Sequence, residues 1–321
     1  MTSLAFVFPG QGSQVVGMGQ ALAAASPAAA RVFAEADAAL GEPISRLAWD
    51  GPEEALNRTE QAQPALLATS IAYLEALRER GATAGTGTSL EPAFMAGHSM
   101  GQYSAMVGAG VISLADGVRL VRERGRQMQA SGAGRDGAMA AILGLDEAAL
   151  PELAAQASAH GTFAVANRNA PGQVVISGER AAIDAAAEIA KSLGAKRAIV
   201  LPVSVAAHSP LMGEAAAAMR RILAEVAFHD PAVSLLANAD ARPLTSAEAC
   251  RAELVDHLTA GVDWVRAVES MTAAGVTTFV EVGPGKVLTN LIKRIAPDAS
   301  ALGLDDPGAP DRFAMPSLTP A

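Results

Sequence analysis

The chain has 321 residues, 50% of them hydrophobic and 18% charged, and its 33 acidic against 24 basic side chains leave a net charge of −9. That length buries a full core, as one large domain with an insertion or two modest ones, while the acidic balance argues against nucleic-acid binding through the bulk surface. No apolar run approaches the ~20 residues of a membrane span, and Leu4–Phe8 is too short for a signal peptide, so a cytoplasmic protein is expected.

The single cysteine, Cys250, excludes an intrachain disulfide and reads as a packed thiol in a helical stretch. The five histidines show no metal-ligand spacing, so no metal site is expected.

Short apolar runs alternate with longer amphipathic ones, the pattern of an α/β fold with a mostly parallel sheet. Leu4–Phe8 reads as a buried strand, followed by the loop Pro9-Gly10-Gln11-Gly12-Ser13-Gln14. Ala62–Arg80 reads as a helix, Gly85–Ser89 as a moving loop, and Ala93–Ala96 as a second strand. That strand runs into Gly97-His98-Ser99-Met100-Gly101, a serine between glycines with the small, helix-compatible segment Gln102–Ala109 behind it. A strand, a sharp turn and a helix in this order make a nucleophile elbow: the serine is held in a strained conformation and its hydroxyl projects from the sheet edge.

Ser113–Ala130 follows as a helix. Ala138–Leu143, Asp146–Ala157, Thr162–Ala166, Gln173–Ser177, Glu179–Leu193 and Arg197–Leu201 then spell β-α-β-β-α-β, a ferredoxin-like unit inserted into a larger α/β-hydrolase-like domain. The expected division is 1–131 with 205–304 for the large domain, 132–204 for the small one, and a flexible tail over 305–321. Residues 131–137 and Pro202 mark the crossings, with a ligand cleft between the two parts. Beyond the insert, Pro210–Val226 reads as a helix, and Leu235–Ala237 and Thr277–Val282 as strands.

Serine needs a base within hydrogen-bond reach. His208 is the candidate, at the junction of an extended segment and a helix, with a cap or packing role as the competing reading. His98 points away from its neighbour Ser99 and reads as a supporting residue. His160 and His229 lie in polar contexts and read as solvated. The backbone N–H of Gln11, in its glycine loop, can join that of Met100 in an oxyanion hole; an ordinary tight turn or a phosphate loop competes. Four arginines, at 119, 122, 124 and 126, share one helix. One of them turned into the cleft would bind a carboxylate bidentately.

These residues resemble the malonyl-CoA:acyl carrier protein transacylase family. The likeness runs from Phe6–Gln14 through Gly97–Gly101, Arg124-Gly125, Asn169–Ile176 and Pro202–Ser204 to Glu281–Leu288. It implies Ser99 as the acyl-accepting nucleophile, His208 as its base, Gln11 and Met100 as oxyanion donors, and Arg124 as the malonyl carboxylate's partner. It also implies that the main-chain carbonyl of residue 257 orients the histidine. Here that residue is His257, in Asp256-His257-Leu258, where the family reads Gln-Leu; a backbone contact should tolerate the change. Gln102 stands where the family commonly has glutamate. The small Val205-Ala206-Ala207 before His208 leaves malonyl against methylmalonyl open.

Malonyl-CoA is the implied substrate and acyl carrier protein the implied partner, with no tightly bound cofactor and no membrane or nucleic-acid partner; a monomer is expected. Because carrier proteins of this kind are acidic, docking needs a local basic patch. Lys286, Lys293 and Arg294 share a face if the segment after Pro284 is helical, and Lys191, Lys196 and Arg197 form a second cluster. A trans-acting polyketide acyltransferase, a loading scaffold with little turnover, and a serine thioesterase or esterase are the alternatives. The hydrolase class normally places its histidine near the C-terminus behind an acidic partner, unlike this chain.

Overall fold

The computed structural model describes residues 3–83, 91–132, 136–203, 205–305 and 308. The Gly85–Ser89 loop, residues 133–135 of the first crossing and nearly all of the tail lie outside them. Eleven strands occur among the described residues: β1 (Ser3–Phe8), β2 (Phe94–Gly97), β3 (Gly137–Leu143), β4 (Phe163–Ala170), β5 (Gln173–Glu179), β6 (Arg197–Val200), β7 (Ser234–Leu236), β8 (Pro243–Leu244), β9 (Val262–Asp263), β10 (Val276–Glu281) and β11 (Ser300–Gly303). They form an α/β structure with two sheets. The first has the order β11-β10-β1-β2-β7-β8, parallel except for the β7–β8 pair. The second has the order β6-β3-β5-β4-β9, in which only β4 and β9 run parallel.

Central position explains why β1 is apolar from Leu4 to Phe8. Flanked by β10 and β2, it has helices on both faces, and alternate side chains enter different cores. Phe6 and Phe8 join Leu66, Leu74, Met106 and Val121 in the larger core, built with the helices Pro27–Leu40, Thr59–Thr83 and Leu114–Gly132. Ala5 and Val7 face the other way, toward Trp264, Phe279 and Ile292.

The second sheet covers one face with the helices Leu150–Ala157 and Arg180–Ser192, which pack on Ala140, Ile142, Val174 and Ile176. Its opposite face carries Met139, Ala166 and Val175, against which Ala207 packs. Strand β6 of this sheet ends at Val200, eight residues before His208.

The expected elements are all present, with ends shifted by a few residues. Strand β4 differs most, continuing to Ala170 where the sequence suggests an end at Ala166. Asn167, Arg168 and Asn169 are too polar to read as strand, but β5 on one side and β9 on the other pair the backbone of Asn167 and Arg168. His160 and His229 are exposed, as expected.

Backbone packs very tightly at the carboxyl ends of β1 and β2. A Cβ on Gly97 would sit 2.0 Å from the Gly101 carbonyl carbon, one on Gly101 2.2 Å from the Phe8 oxygen, and one on Gly10 2.6 Å from the His98 oxygen. Glycine is required at these positions because backbone meets backbone. The loop after β1 and the turn after β2 are thereby pressed against each other.

Candidate active site

Ser99 sits between β2 and the helix Gly101–Gly108 with φ 55°, a left-handed conformation that a side chain rarely adopts. The turn aims its hydroxyl off the sheet edge, where Oγ lies 2.8 Å from His208 Nε2. His208 is itself left-handed, with φ 59°. Its Nδ1 lies 2.6 Å from the His257 main-chain oxygen. A carbonyl only accepts, so Nδ1 carries the proton and Nε2 presents a lone pair to the serine. Burial, and then the Arg124 charge, push the His208 pKa down to about 3. The imidazole is therefore a neutral acceptor across the ordinary pH range.

Of the four arginines on the helix Leu114–Gly132, only Arg124 reaches the serine. Arg119 and Arg126 are exposed, and Arg122 pairs with Glu42 and Gln61. Arg124 is 1% exposed. Nη1 donates to Gln63 Oε1 at 2.9 Å, and Nη2 reaches Ser99 Oγ at 3.1 Å and His257 Nε2 at 3.3 Å. Among the described residues no carboxylate forms an ion pair with it; burial lowers its pKa, and Nε has no partner. A buried cation held only by neutral groups is a costly arrangement unless an anion completes it.

The side chain of His257 contributes as well as its carbonyl. Nδ1 lies 2.9 Å from the Glu253 carbonyl and must donate there, leaving Nε2 to accept from Arg124. Burial and the neighbouring Arg124 charge hold this ring well below the usual histidine pKa, which keeps Nε2 available. His257 thus supplies a backbone contact to His208 and, through its ring, an acceptor for the arginine.

The Gln11 and Met100 N–H groups, at the adjoining ends of β1 and β2, make no hydrogen bond among the described residues. Gln102 is buried beneath the serine. Its Oε1 accepts from Gly97 N at 3.1 Å and its Nε2 donates to the Leu236 carbonyl at 2.8 Å, so it braces two strand ends and sits apart from proton transfer. His98 turns away, with Nε2 2.9 Å from Asn169 Oδ1 and its ring edge-on to Trp264.

The expected basic patch is only partly assembled. Lys286 and Lys293 are exposed at and on the helix Val287–Ile295, although Lys286 meets Asp305 at 3.1 Å. Arg294 is committed elsewhere: its guanidinium donates to Gln173 Oε1 and, at 2.8 Å, to the Pro171 carbonyl, tying this helix to the β4–β5 turn. In the second cluster Lys191 pairs with Glu188. Glu281, in the Glu281–Leu288 motif, has a structural task. Its carboxylate accepts from the N–H groups of Leu288 and Thr289 and caps that same helix.

Sequence reasoning singled out neither Gln63, Asn238 nor Glu253. Asn238 lies just past β7 and its side chain touches the elbow; the one available signal is its position just past the carboxyl end of a strand, as for Gln11 and Ser99.

A serine aligned with a neutral histidine, next to two free N–H groups and a cation without a counterion, is equipped for acyl transfer from an anionic acyl group. Comparison with known proteins agrees. The acyl transferase domain family matches residues 5–304. The malonyl CoA-acyl carrier protein transacylase of Escherichia coli is 47% identical over 309 residues, covering 96% of this chain and 98% of its own. The chain belongs to the malonyl-CoA:acyl carrier protein transacylase family. An acyl carrier protein S-malonyltransferase from Vibrio cholerae superposes with a TM-score of 0.93 at 41% identity, over 97% of this chain and 100% of that one. A malonyl-transacylase solved with a type II polyketide synthase acyl-carrier protein gives 0.91 at 42%, over 97% and 98%.

The depressed His208 pKa sets a pH expectation. A base is lost on protonation, so serine acylation should show no histidine limb near pH 6.5 and should hold its rate from pH 7 to 5. In Arg124→Ala one of the two main causes of depression is gone and the acid limb should move upward. Stopped-flow acylation against pH, with an uncharged acyl-CoA for both proteins, checks both expectations.

Proposed function

We infer that this acyltransferase moves a malonyl group from malonyl-CoA to the phosphopantetheine thiol of acyl carrier protein through a malonyl-serine intermediate. The observation that carries this reading is the buried Arg124 guanidinium, unpaired and within hydrogen-bond distance of the nucleophile. An acyl group that ends in a carboxylate brings the missing anion to that place.

In the first half-reaction His208 Nε2 takes the Ser99 proton as Oγ attacks the thioester carbonyl carbon. The carbonyl oxygen becomes an oxyanion, held by the Gln11 and Met100 N–H groups. Collapse breaks the carbon–sulfur bond, and the proton on Nε2 passes to the departing sulfur. The carrier thiol reverses the sequence, yielding its proton to His208 and displacing Ser99. The His257 carbonyl holds the imidazole tautomer throughout, as an acidic residue does in other serine enzymes. Oxyanion donors of this kind typically contribute about 10² to 10³ in rate each.

The reading includes a cytoplasmic monomer that works without metal or bound organic cofactor and supplies fatty acid elongation. Service to a polyketide pathway is the second reading, supported by the likeness to the transacylase solved with a type II polyketide synthase carrier. The architecture we propose is a hydrolase-like domain of residues 1–131 and 205–304, with a ferredoxin-like insert over 132–204 and a tail from 305. The order β6-β3-β5-β4 with antiparallel neighbours supports the insert, and the parallel run β11-β10-β1-β2-β7 supports the larger part.

Intact-mass measurement after mixing with malonyl-CoA tests the reaction. One malonyl group should appear per chain, be absent in Ser99→Ala, and leave when holo carrier protein is added. Loss of the acyl group to water at the same speed without carrier would indicate a thioesterase. Arg124→Ala should lower the rate ratio of malonyl to acetyl loading by about 10²-fold, the scale expected for breaking a buried charge pair.

Carrier docking is proposed at Lys293 and Lys286, whereas Arg294 serves the fold. Lys293→Glu should raise the KM for carrier protein severalfold and leave that for malonyl-CoA unchanged, as steady-state kinetics with each substrate varied would report.

A further inference from the structure

We propose that Asn238 is a positioning residue that holds the nucleophile elbow in its strained conformation from outside the turn. Its side-chain Oδ1 accepts from the Ser99 backbone N–H at 2.8 Å, and its Nδ2 donates to the Gly97 carbonyl at 3.0 Å. The two bonds fall on either side of His98, so one side chain grips the chain immediately before and at the left-handed residue. Only one orientation of the amide satisfies both.

The grip works because a carboxamide offers one acceptor and one donor, as a peptide group does. Strands β2 and β7 are paired through Phe94–Ser234 and Met95–Leu235, and β7 ends at Leu236. Past that point the elbow turns away and main chain no longer faces main chain in register. The Asn238 amide substitutes for the absent peptide and carries the ladder pattern onto the turn.

Asn238 is itself fixed. It is buried, its N–H donates to Glu253 Oε1 at 2.7 Å, and its carbonyl accepts from Asp263 N at 2.7 Å. Glu253 is almost fully buried and its carboxyl pKa is pushed up to about 7, chiefly by burial. That carboxyl and the Asp263 amide hold the backbone of Asn238 while its side chain holds the serine.

A further consequence concerns the oxyanion donors. With its N–H committed to Asn238, Ser99 cannot itself stabilise the tetrahedral oxygen. The hole is left to Met100 and Gln11, and the clamp sets the angle at which Met100 N–H points.

The proposal rests on Ser99 being the acyl acceptor, and the test separates the two. Asn238→Ala and Asn238→Asp are compared with wild type for the rate constant of malonyl-serine formation, the KM for malonyl-CoA and thermal midpoint. In Asn238→Ala the rate constant should fall about 10²-fold, the scale of a small misplacement of reacting atoms, with KM within about twofold by the same argument, which confines the loss to the reacting atoms. In Asn238→Asp a carboxylate can accept from Ser99 but cannot donate to Gly97. Protonation restores the donor, so the ratio of variant to wild-type rate should rise as pH falls from 8 to 5. A lost fold would not produce that trend.

Acylation at the wild-type rate in Asn238→Ala overturns the proposal, as does a pH-independent ratio in Asn238→Asp. Failure of both variants to fold would assign Asn238 to stability alone and overturn it equally. If wild-type protein takes up no malonyl group, the acyl-transfer reading fails first.

Discussion

Backbone contact at the ends of β1 and β2 governs this molecule. Three glycines allow the chain after Phe8 and the chain after Ala96 to approach where no Cβ fits. That contact fixes where the serine hydroxyl emerges and sets two uncommitted N–H groups beside it. Burial of the alternating Phe and Val side chains of β1 supplies the driving force. The glycines decide where that force presses main chain on main chain.

Around this fixed point the site is assembled from distant segments. Ser99 lies 109 positions from His208 and 25 from Arg124, and the carbonyl that orients the imidazole is a further 49 beyond His208. The helix Leu114–Gly132 packs closely on the helix Thr59–Thr83, where Gly125 abuts the Glu60 backbone at a spacing that excludes a side chain. That closeness brings Gln63 within reach of Arg124, so core packing positions the polar contact.

Much of this was legible before any coordinates. The apolar run of β1 and the Gly-His-Ser-Met-Gly turn announce strand and elbow, and the strand-helix alternation after Gly137 announces the second sheet. Other features depend on partners that local pattern does not name. Asn167 and Arg168 form strand where β9, almost a hundred residues away, pairs with them. Strands β8 and β9 have two residues each, too few for any periodicity. The four arginines of one helix look alike in sequence; rotation about the helix axis and the contact with Gln63 single out Arg124. Arg294 reads as an ordinary surface cation until its bonds to Pro171 and Gln173 are known. Asn238 carries no mark beyond its place just after a strand, because its importance lies in which two backbone groups it happens to bridge.

The group that orients His208 is a peptide carbonyl, and that has an electrostatic consequence. A carbonyl neither titrates nor can be deleted by side-chain substitution, but it also brings no full negative charge to the forming imidazolium. Until a ligand arrives, the base sits beside an uncancelled Arg124 cation that suppresses its affinity for a proton. On the proposed reading an incoming dicarboxylic half-thioester cancels that cation, and the imidazole becomes more basic at the moment a proton must be removed. An acetyl group brings no such compensation. Discrimination between the two would then be written into the chemical step as well as into affinity, with the cargo switching on the catalyst that carries it.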